Sequence, residues 1–489
     1  MRASRRWESD RASGSHRTAG RMMTTAIPWL ILGVTLSAAE TDTPPPNVLL
    51  ILCDNLGYGD LGCYGSSRHR TPHVDRLAEQ GLRFTHCYAA SGVCTPSRAA
   101  LLTGCYPRRV NLHVSDTGGA VLQPVSPKGL HPNEITIAEI LRDAGYATTC
   151  IGKWHLGDQT DFLPTQQGFD EYFGIPYSDD MTPREGKPWP DLSLMRGTAV
   201  IEAPVDRNLL TRRYTEEAQR FIRAHRDRPF FVYLPHAMPG STPHPFSSQA
   251  FRGRSQNGDW GDSVEELDWS LGELVRTLDE MSVSERTLVL FTNDNGAPRR
   301  QPEQGSSGPL RGWGYSTDEG GMRVPFIARW PGTVPAGRTC TELVTLMDLL
   351  PTLARLARAS TPQDRLIDGR DISPLLRGTA GAISPHEAFF YYQGEQLQAV
   401  RDRRFKLYLP LEKRLGPGSR QQPAALALYD LYEDVSETRN LAAERPDDVR
   451  RLRALAERAR ADLGDLGRDA ATTRPAGWSA PATPRVLSQ

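Results

Sequence analysis

The chain has 489 residues, of which 38% are hydrophobic and 24% are charged, as expected for a soluble globular protein with one large domain and a smaller one. Lys plus Arg and Asp plus Glu each number 58, so no overall field favours nucleic acid or an anionic membrane. An anionic substrate therefore has to be bound by a local cluster of cations.

The N-terminal segment carries a short apolar run, Thr24 to Leu36, between Arg-rich sequence and the small residues Ser37-Ala38-Ala39. This order is the pattern of a secretory signal peptide, and the run is short for a membrane span, although an uncleaved anchor is the alternative. We therefore expect a leader and signal peptide over residues 1–39, a secreted or periplasmic protein and no stable membrane span. The sequence has no Asn-x-Ser/Thr acceptor, which favours a bacterial source.

Helical and strand patterns alternate through the first three quarters of the chain. Asn47 to Leu52 is a continuous apolar run that indicates a buried parallel strand. Amphipathic stretches then precede apolar ones in three pairs: Thr136–Ala144 before Ala147–Ile151, Arg212–His225 before Phe230–Leu234, and Ser263–Met281 before Thr287–Phe291. This alternation predicts an α/β catalytic domain over residues 40–376, with a large, mostly parallel or mixed central sheet flanked by helices.

The pattern changes after Leu376. Short strands are predicted at Phe389–Tyr392, Gln398–Arg401, Phe405–Leu409 and Ala427–Leu431, followed by a charged helix from Asp447 to Leu463. We expect a small antiparallel sheet plus helix over residues 377–469. Residues 470–489 are rich in Pro, Ala and Thr, a composition that predicts a flexible tail.

Polar residues follow two of the predicted strands directly. Asp54 and Asn55 come after the first strand, and Asp294 and Asn295 come after Phe291. Each motif alone is typical of a polar turn, but ligands in open α/β sheets sit beyond the carboxyl ends of strands. Two Asp/Asn pairs at such ends indicate four hard oxygen ligands, which suit Ca²⁺ or Mg²⁺ rather than zinc.

The segment Cys94-Thr-Pro-Ser-Arg98 has the Pro and Ser of a helix start. Cys94 is therefore expected to face helix N-terminal amides and Arg98, a setting that lowers a thiol pKa. A buried structural cysteine before a helix is the alternative. The seven cysteines include no CxxC spacing, and their odd number leaves at least one outside any disulfide, with Cys94 the candidate.

The segment Gly152-Lys153-Trp154-His155-Leu156-Gly157 follows another predicted strand. Lys153 supplies a cation and His155 a titratable base, and the flanking glycines let the backbone approach a ligand closely. A lone Lys or His is more often surface or core filler, so this segment gains its meaning from the other motifs.

Together these motifs carry a family resemblance. The chain resembles the formylglycine-dependent sulfatases of the alkaline phosphatase superfamily, and among them the group of arylsulfatase A and the galactosamine-sulfate sulfatases. The resemblance runs from about Asn47 to Leu441. Its core signature, CTPSRAALLTG, is highly specific, and DNLGYGDLGCYG, GKWHLG, TNDNG and EGGMRVPFIARWPG occur in the order typical of the family.

The resemblance implies a role for each matching residue. Cys94 matches the cysteine that a maturation enzyme oxidises to Cα-formylglycine, whose hydrate attacks sulfur. Arg98 would stabilise that hydrate, and Lys153 would neutralise charge on the sulfuryl group. His155 would accept a proton from the second hydroxyl. The calcium ligands implied are Asp54, Asn55, Cys94, Asp294 and Asn295, and the sulfate-contacting serine is Ser178. The implied substrate is a sulfated carbohydrate or an aryl sulfate.

The chain departs from the family pattern at several positions. Asn55 stands where a second Asp is usual, and Gly314 stands where a sulfate-binding lysine is usual, with Arg311 or Arg323 as substitutes to consider. The leaving-group histidine should lie near residues 235–244, where Gly240 or Thr242 occupies the expected slot. His236 and His244 are therefore both candidates for the general acid.

Two other functions remain open at this point. A phosphatase or phosphodiesterase of the same superfamily would use Thr or Ser as the nucleophile, which Cys94 argues against. A catalytically impaired sulfatase-like protein that binds sulfated glycans is supported by Gly314 and by the uncertain histidine.

Overall fold

The computed structural model describes residues 45–416 and 424–487. The predicted signal peptide, including Thr24 to Leu36, lies outside the described residues and stays a prediction. Among the residues that are described, no helix has the length and apolarity needed to cross a membrane.

The described chain contains seventeen strands and nine α-helices. The strands are β1 (Asn47–Asp54), β2 (Leu82–Tyr88), β3 (Lys128–Gly129), β4 (Ala147–Ile151), β5 (Glu171–Gly174), β6 (Leu194–Arg196), β7 (Ala199–Glu202), β8 (Phe230–Pro239), β9 (Thr287–Asn293), β10 (Arg323–Arg329), β11 (Arg338–Cys340), β12 (Val344–Thr345), β13 (Phe389–Gln393), β14 (Gln396–Arg401), β15 (Phe405–Tyr408), β16 (Ala427–Asp430) and β17 (Gly477–Trp478). The helices are α1 (Pro72–Glu79), α2 (Cys94–Thr103), α3 (Ile137–Asp143), α4 (Leu210–Ala224), α5 (Gly258–Glu280), α6 (Glu319–Met322), α7 (Leu349–Leu356), α8 (Ser373–Leu376) and α9 (Pro446–Leu463).

A large mixed sheet forms the centre of the molecule. Its order is β11-β2-β10-β9-β1-β8-β4-β5-β6-β7, with β12 also paired to β2. The five strands from β9 to β5 are parallel, whereas β10 runs antiparallel between β9 and β2. The predicted α/β class is confirmed, and every strand and helix predicted before Leu376 is present. The antiparallel strand is a feature that the sequence pattern did not separate from its parallel neighbours.

Helices cover both faces of this sheet. One face packs against α2, α3 and α7 through residues such as Leu101, Ile137 and Leu353. The other packs against α1, α4 and α5 through Leu77, Phe221 and Leu271, which are among its buried side chains. Burial on both faces explains why β1 and β9 read as continuous apolar runs rather than as alternating ones.

A second sheet of four antiparallel strands, β13-β14-β15-β16, lies with α9 beyond the large sheet. Glu319 and Lys406 join the two sheets through a fully buried ion pair of 2.9 Å. The predicted small antiparallel sheet plus helix is confirmed. The chain from Pro45 onward forms one compact unit, so the domain bounds 40–376 and 377–469 stay predictions.

The described residues after 469 contact the large domain. β17 pairs with β3, and the Arg474 guanidinium forms an ion pair with Glu134 at 2.7 Å. The flexibility that composition suggests for this tail stays a prediction. All seven cysteines lie within the described residues, and none of them is in a disulfide.

Candidate active site

The predicted site residues lie at one edge of the sheet, at the carboxyl ends of three parallel strands. Asp54 ends β1, Asp294 follows β9, and Lys153 follows β4. Because β9, β1, β8 and β4 are parallel neighbours, their carboxyl ends lie side by side. Cys94 is the first residue of α2, which begins above this edge.

Lys153 connects the nucleophile position to the predicted metal ligands. Its Nζ donates to Asp54 Oδ1 at 2.7 Å and to Ser178 Oγ at 3.0 Å, and it lies 3.5 Å from Cys94 Sγ. The side chain is completely buried. A buried cation is thus held between a carboxylate, a hydroxyl and the sulfur of Cys94.

Arg98 holds the two carboxylates together. It donates to Asp54 Oδ1 at 2.9 Å, to Asp294 Oδ2 at 2.8 Å, and to the carbonyl of Lys153 at 2.7 Å. These bonds direct the guanidinium at the carboxylates, so Arg98 positions the metal-ligand set. Contact with a hydrate at position 94, which the resemblance implies for Arg98, stays a prediction.

The two carboxylates differ in their proton affinity. Burial raises the pKa of Asp294 to about 7, and the nearby charge of Asp54 adds to this shift. Burial acts on Asp54 as well, but Lys153 and Arg98 outweigh it and lower the pKa of that carboxyl to about 2. Asp54 is therefore ionised at neutral pH, and it is the carboxylate that both cations share.

The oxygen ligands predicted for a divalent cation lie together. Asn55 donates from its backbone to Asp294 Oδ1 at 3.1 Å, and Asn295 Nδ2 donates to Asn55 Oδ1. Oxygen atoms of Asp54 and Asp294 and the sulfur of Cys94 lie within 4.8 Å of one another. Asn295 Oδ1 is buried without a partner among the described residues. This oxygen-rich set fits a hard cation such as Ca²⁺.

The expected low pKa of Cys94 is wrong. The thiol is only 4% exposed, and burial raises its pKa well above the ordinary value, with Asp54 adding to the shift. The Lys153 and Arg98 cations oppose the shift without cancelling it. A thiol at this position stays protonated and is a weak nucleophile.

His155 lies in the site as a neutral base. Its Nε2 lies 3.0 Å from the Leu122 carbonyl, which can only accept, so Nε2 carries the hydrogen and Nδ1 does not. Nδ1 is buried without a partner in the described structure. Burial, together with the Lys153 and Arg98 charges, lowers the pKa of the imidazole. The ring is therefore equipped to accept a proton at Nδ1.

Neither histidine predicted as a general acid reaches this cluster. His236 lies on the face of β8 that packs against α4 and α5, where its Nε2 contacts Ser270 Oγ at 3.2 Å. His244 is an exposed side chain paired with Asp259 at 3.0 Å. Since adjacent strand residues face opposite sides of a sheet, a single position along β8 decides whether a side chain can point towards the site.

Gly314 leaves no room for the usual lysine. A Cβ atom at this position would lie 2.1 Å from the Gly296 carbonyl oxygen, so the backbone itself occupies the space of a side chain. Neither proposed substitute supplies the missing charge, because Arg311 lies over Tyr429 and Tyr408, and Arg323 lies 3.6 Å from Glu319.

Three residues that the motifs did not indicate adjoin the metal-ligand set. Ser241 Oγ accepts from Asn55 Nδ2 at 2.9 Å and lies 3.0 Å from the Tyr315 hydroxyl. Arg300 donates to the Ser241 carbonyl. The sequence holds one signal for two of them: Tyr315 directly follows Gly314, and Ser241 lies between Gly240 and Thr242, the two candidates for the expected histidine slot.

The comparisons with known proteins agree with this geometry. Residues 46–359 match the family described as Sulfatase, and residues 315–458 match N-sulphoglucosamine sulphohydrolase, C-terminal. The chain is 40% identical to steryl-sulfatase of Mus musculus, with 78% of this chain and 72% of that protein covered. It is 39% identical to arylsulfatase A of Homo sapiens, with 86% and 89% covered.

A solved structure shares the fold along most of its length. This crystal structure, of a protein in complex with a neocarrahexaose, is 27% identical to the chain with a TM-score of 0.71, and it covers 85% of this chain and 92% of that one. The resemblance to the arylsulfatase group is confirmed. The chain belongs to the sulfatase family and is a sulfuric ester hydrolase.

Proposed function

We propose that this protein is a secreted, calcium-dependent sulfatase that hydrolyses sulfate monoesters of carbohydrate, with a formylglycine hydrate derived from Cys94 as the nucleophile. The observation that carries the proposal is the buried cluster of Cys94, Asp54, Asp294 and Lys153. Sulfate esters are shielded by negative oxygens, so their hydrolysis needs cations around sulfur and a strong oxygen nucleophile.

The chemistry of Cys94 supports conversion to an aldehyde. Its thiol is buried and its pKa is raised, so the sulfur is poorly suited to attack directly. A group that is only 4% exposed is also out of reach of a modifying enzyme in the folded protein. We therefore expect the formylglycine-generating partner to act on the chain before it folds.

A divalent cation would be held by the oxygens of Asp54, Asn55, Asp294 and Asn295. When bound, Ca²⁺, or Mg²⁺ as the alternative, supplies the charge that polarises a sulfate oxygen and favours ionisation of a nearby hydroxyl. The unpartnered Asn295 Oδ1 and the raised pKa of Asp294 support this assignment, because a cation would satisfy the first and remove the proton from the second.

The residues of the chain itself have separate tasks in this mechanism. Lys153 and Ser178 lie 3.0 Å apart and form the side of the site that would hold sulfate oxygens. Arg98 keeps the two carboxylates in place. His155, neutral and free at Nδ1, takes the proton that must leave the hydrate hydroxyl when sulfate is expelled.

A pocket beside the nucleophile supports a carbohydrate as the alcohol part of the substrate. Its volume is about 490 Å³, and it begins at Val93, the residue before Cys94. His113, Gln393 and Glu395 lie in its lining. His113 Nδ1 and Gln393 Oε1 are both buried without a partner among the described residues. A pocket of this volume, with a small number of polar groups in fixed positions, is suited to a sugar with several hydroxyls.

The pocket and the catalytic residues share a loop. The lining includes Gly119 and Ala120. Two residues further along the chain, the backbone N of Leu122 donates to Thr95 Oγ1 at 3.2 Å, and the Leu122 carbonyl lies 3.0 Å from His155 Nε2. A sugar in the pocket would thus be placed by the same segment that orients the base.

An impaired sulfatase that binds sulfated glycans is the second candidate. The observations in its favour are Gly314, which leaves the usual lysine position without a charged side chain, and the expected histidine slot, where the sequence has Gly240 or Thr242.

Sulfate release from sulfated sugars by protein made with a formylglycine-generating enzyme tests the two candidates. The proposal predicts turnover that is lost in Cys94→Ala and after calcium chelation, and no comparable hydrolysis of phosphate monoesters. Saturable glycan binding without sulfate release would favour the second candidate, and preferred phosphate hydrolysis would favour a phosphoesterase. N-terminal sequencing of the exported protein tests secretion, because a chain that retains residues 1–39 would contradict signal peptide cleavage.

A further inference from the structure

The side-chain hydroxyls of Ser241 and Tyr315 form a partly buried pair next to Asn55, one of the predicted metal ligands. Tyr315 Oη and Ser241 Oγ lie 3.0 Å apart, and Ser241 Oγ also accepts from Asn55 Nδ2 at 2.9 Å. The two hydroxyls carry two hydrogens, and only one of them is used between the pair. Whichever group donates, one O–H hydrogen remains for an acceptor that is not a described residue.

The backbone holds Tyr315 in a conformation that is rare for a tyrosine. Its φ is +66°, in the left-handed region that strongly favours glycine. The backbone N of Tyr315 donates to the Gly92 carbonyl at 2.9 Å, two residues before Cys94. Strained conformations of this kind persist where the surrounding structure fixes them, and they cluster at functional sites. The tyrosine is thus tied to the segment that carries the nucleophile.

The surroundings of Tyr315 keep its hydroxyl protonated. Burial raises the pKa of Tyr315, and after burial the largest contribution comes from Cys94, with a further one from Asp54. The phenol therefore stays protonated and is able to donate. Its position does not depend on this shift, since the contacts with Ser241 and Gly92 fix the side chain and the backbone independently.

The Arg300 guanidinium supports the hydroxyl pair through the backbone of Ser241. Arg300 donates from Nη2 to the Ser241 carbonyl, and its Nε is buried without a partner among the described residues. Arg300 thus brings positive charge next to Ser241, whose hydroxyl contacts the residue that follows Gly314, the position without the usual lysine.

We propose that Tyr315 is the catalytic residue that donates a hydrogen to the bridging oxygen of the sulfate ester, with Ser241 and Arg300 as its positioning residues. The inference rests on the proposed function. As sulfur gains a bond to the attacking oxygen at position 94, its bond to the bridging oxygen breaks. The bridging oxygen keeps the electron pair and takes the Tyr315 proton. Ser241 returns a proton to Tyr315 and is reprotonated from solvent, and solvent takes up the proton that the hydrate hydroxyl loses on attack, so no net proton is gained or lost.

This assignment narrows the substrate class. Aliphatic alkoxides are strongly basic and need a proton as they depart, whereas phenolates with electron-withdrawing groups do not. A site with a dedicated neutral donor is therefore suited to sulfate esters of sugar hydroxyls rather than to activated aryl esters.

A series of aryl sulfates whose phenols differ in pKa tests the assignment in the matured, calcium-loaded enzyme. In Tyr315→Phe, kcat/KM is expected to fall about 10²-fold for the poorest leaving group and little for the best, so that the plot of log kcat/KM against leaving-group pKa steepens. Ser241→Ala should steepen the same plot, and Ser241→Thr, which keeps the hydroxyl, should restore the slope of the unchanged enzyme.

The matched control is Tyr146→Phe. Tyr146 is a buried tyrosine with one hydrogen bond, from Oη to the Pro46 carbonyl at 2.8 Å, remote from the site. Its variant should give an unchanged slope. An equal loss for every leaving group in Tyr315→Phe, or no loss, would overturn the inference while leaving the proposed function intact. If the unchanged enzyme hydrolysed no sulfate ester, the proposed function would fail, and this inference with it.

Discussion

Lys153 Nζ lies 3.5 Å from Cys94 Sγ while it donates to Asp54 Oδ1 at 2.7 Å, so one buried cation touches both the nucleophile position and the metal-ligand set. Lys153 holds Asp54 ionised, and in the proposed mechanism it would also contact the sulfuryl group.

Replacement of Lys153 by Met should therefore lower kcat/KM for sulfate esters by about 10²–10³-fold, the loss typical of a removed electrostatic contact. The measurement is steady-state kinetics on correctly folded, matured protein. Lys406→Met provides the control, because Lys406 is equally buried and paired with Glu319, yet lies between the two sheets. It should lose stability but keep its activity per folded molecule, and a similar activity loss in both variants would contradict the role of Lys153.

His155 should behave as a base that stays neutral through the physiological range. Its pKa is lowered by burial and by neighbouring cations, so the neutral form persists well below the ordinary value of about 6.5. Acidification through pH 6.5 should therefore cause no fall of kcat that is due to His155. The pH profile of kcat near pH 6.5 should have the same shape in the unchanged enzyme and in His155→Gln. If kcat fell near pH 6.5 in the unchanged enzyme but not in His155→Gln, the imidazole of His155 would have an ordinary pKa.

His236→Ala and His155→Ala together test which of the two histidines takes part in catalysis. Its ring contacts Ser270 and packs near Tyr214, so the substitution should destabilise the fold and leave kcat/KM per folded molecule nearly unchanged. His155→Ala should instead reduce turnover about 10²-fold or more. Comparable losses of kcat/KM in both variants would restore His236 as a general acid candidate.

Gly314→Lys should not restore a family-like site. The new Cβ would lie 2.1 Å from the Gly296 carbonyl oxygen, so the backbone has to shift before any side chain fits. We expect a lower melting temperature and lower activity. The control is Gly65→Lys, where no atom lies within 4 Å of an added Cβ, although its φ of +99° brings some strain. Higher activity in Gly314→Lys would contradict the account of this position.

The clustering of the candidate metal ligands was predictable because these residues end strands or directly follow them. Asp54 and Asp294 were located by the apolar runs of β1 and β9, whose parallel arrangement brings their ends together. The small sheet was predictable for a similar reason, since short strands with close turns pair locally. The antiparallel direction of β10 was not, because a fully buried strand has the same apolar run in either direction.

The hydroxyl pair and its neighbouring arginine were not predictable from the sequence pattern. Ser241, Arg300 and Tyr315 come from loops without periodicity, and Ser241 and Tyr315 are 74 residues apart. The position of His236 away from the cluster was not predictable, because the face on which it lies depends on the register of β8, which the loop-rich sequence after Pro239 does not fix. The thiol pKa of Cys94 was misjudged because burial, which outweighs the Lys153 and Arg98 charges, depends on packing by distant segments.

The Glu319–Lys406 pair should make stability sensitive to acid. Burial alone would raise the pKa of Glu319, but Lys406, Arg323 and Arg401 lower it below the ordinary value. A carboxyl whose folded pKa is depressed contributes stability above its unfolded pKa of about 4.3, and this contribution is lost as pH falls from there towards the folded pKa.

Glu319→Gln should therefore unfold more easily at neutral pH, by about 3–5 kcal/mol, and lose less further stability below pH 4.3. Denaturant unfolding at several pH values measures both effects. An unchanged acid dependence would show that other carboxyl groups control it.

Mass spectrometry of the peptide that contains Cys94 tests directly whether the nucleophile is a formylglycine. The protein is made with a formylglycine-generating enzyme, and sulfate release is measured on the same sample. We expect the mass of an aldehyde in place of the thiol, with turnover that rises in proportion to the converted fraction and is absent in Cys94→Ala. Sulfate release from protein whose Cys94 is entirely an unmodified thiol would contradict the formylglycine mechanism.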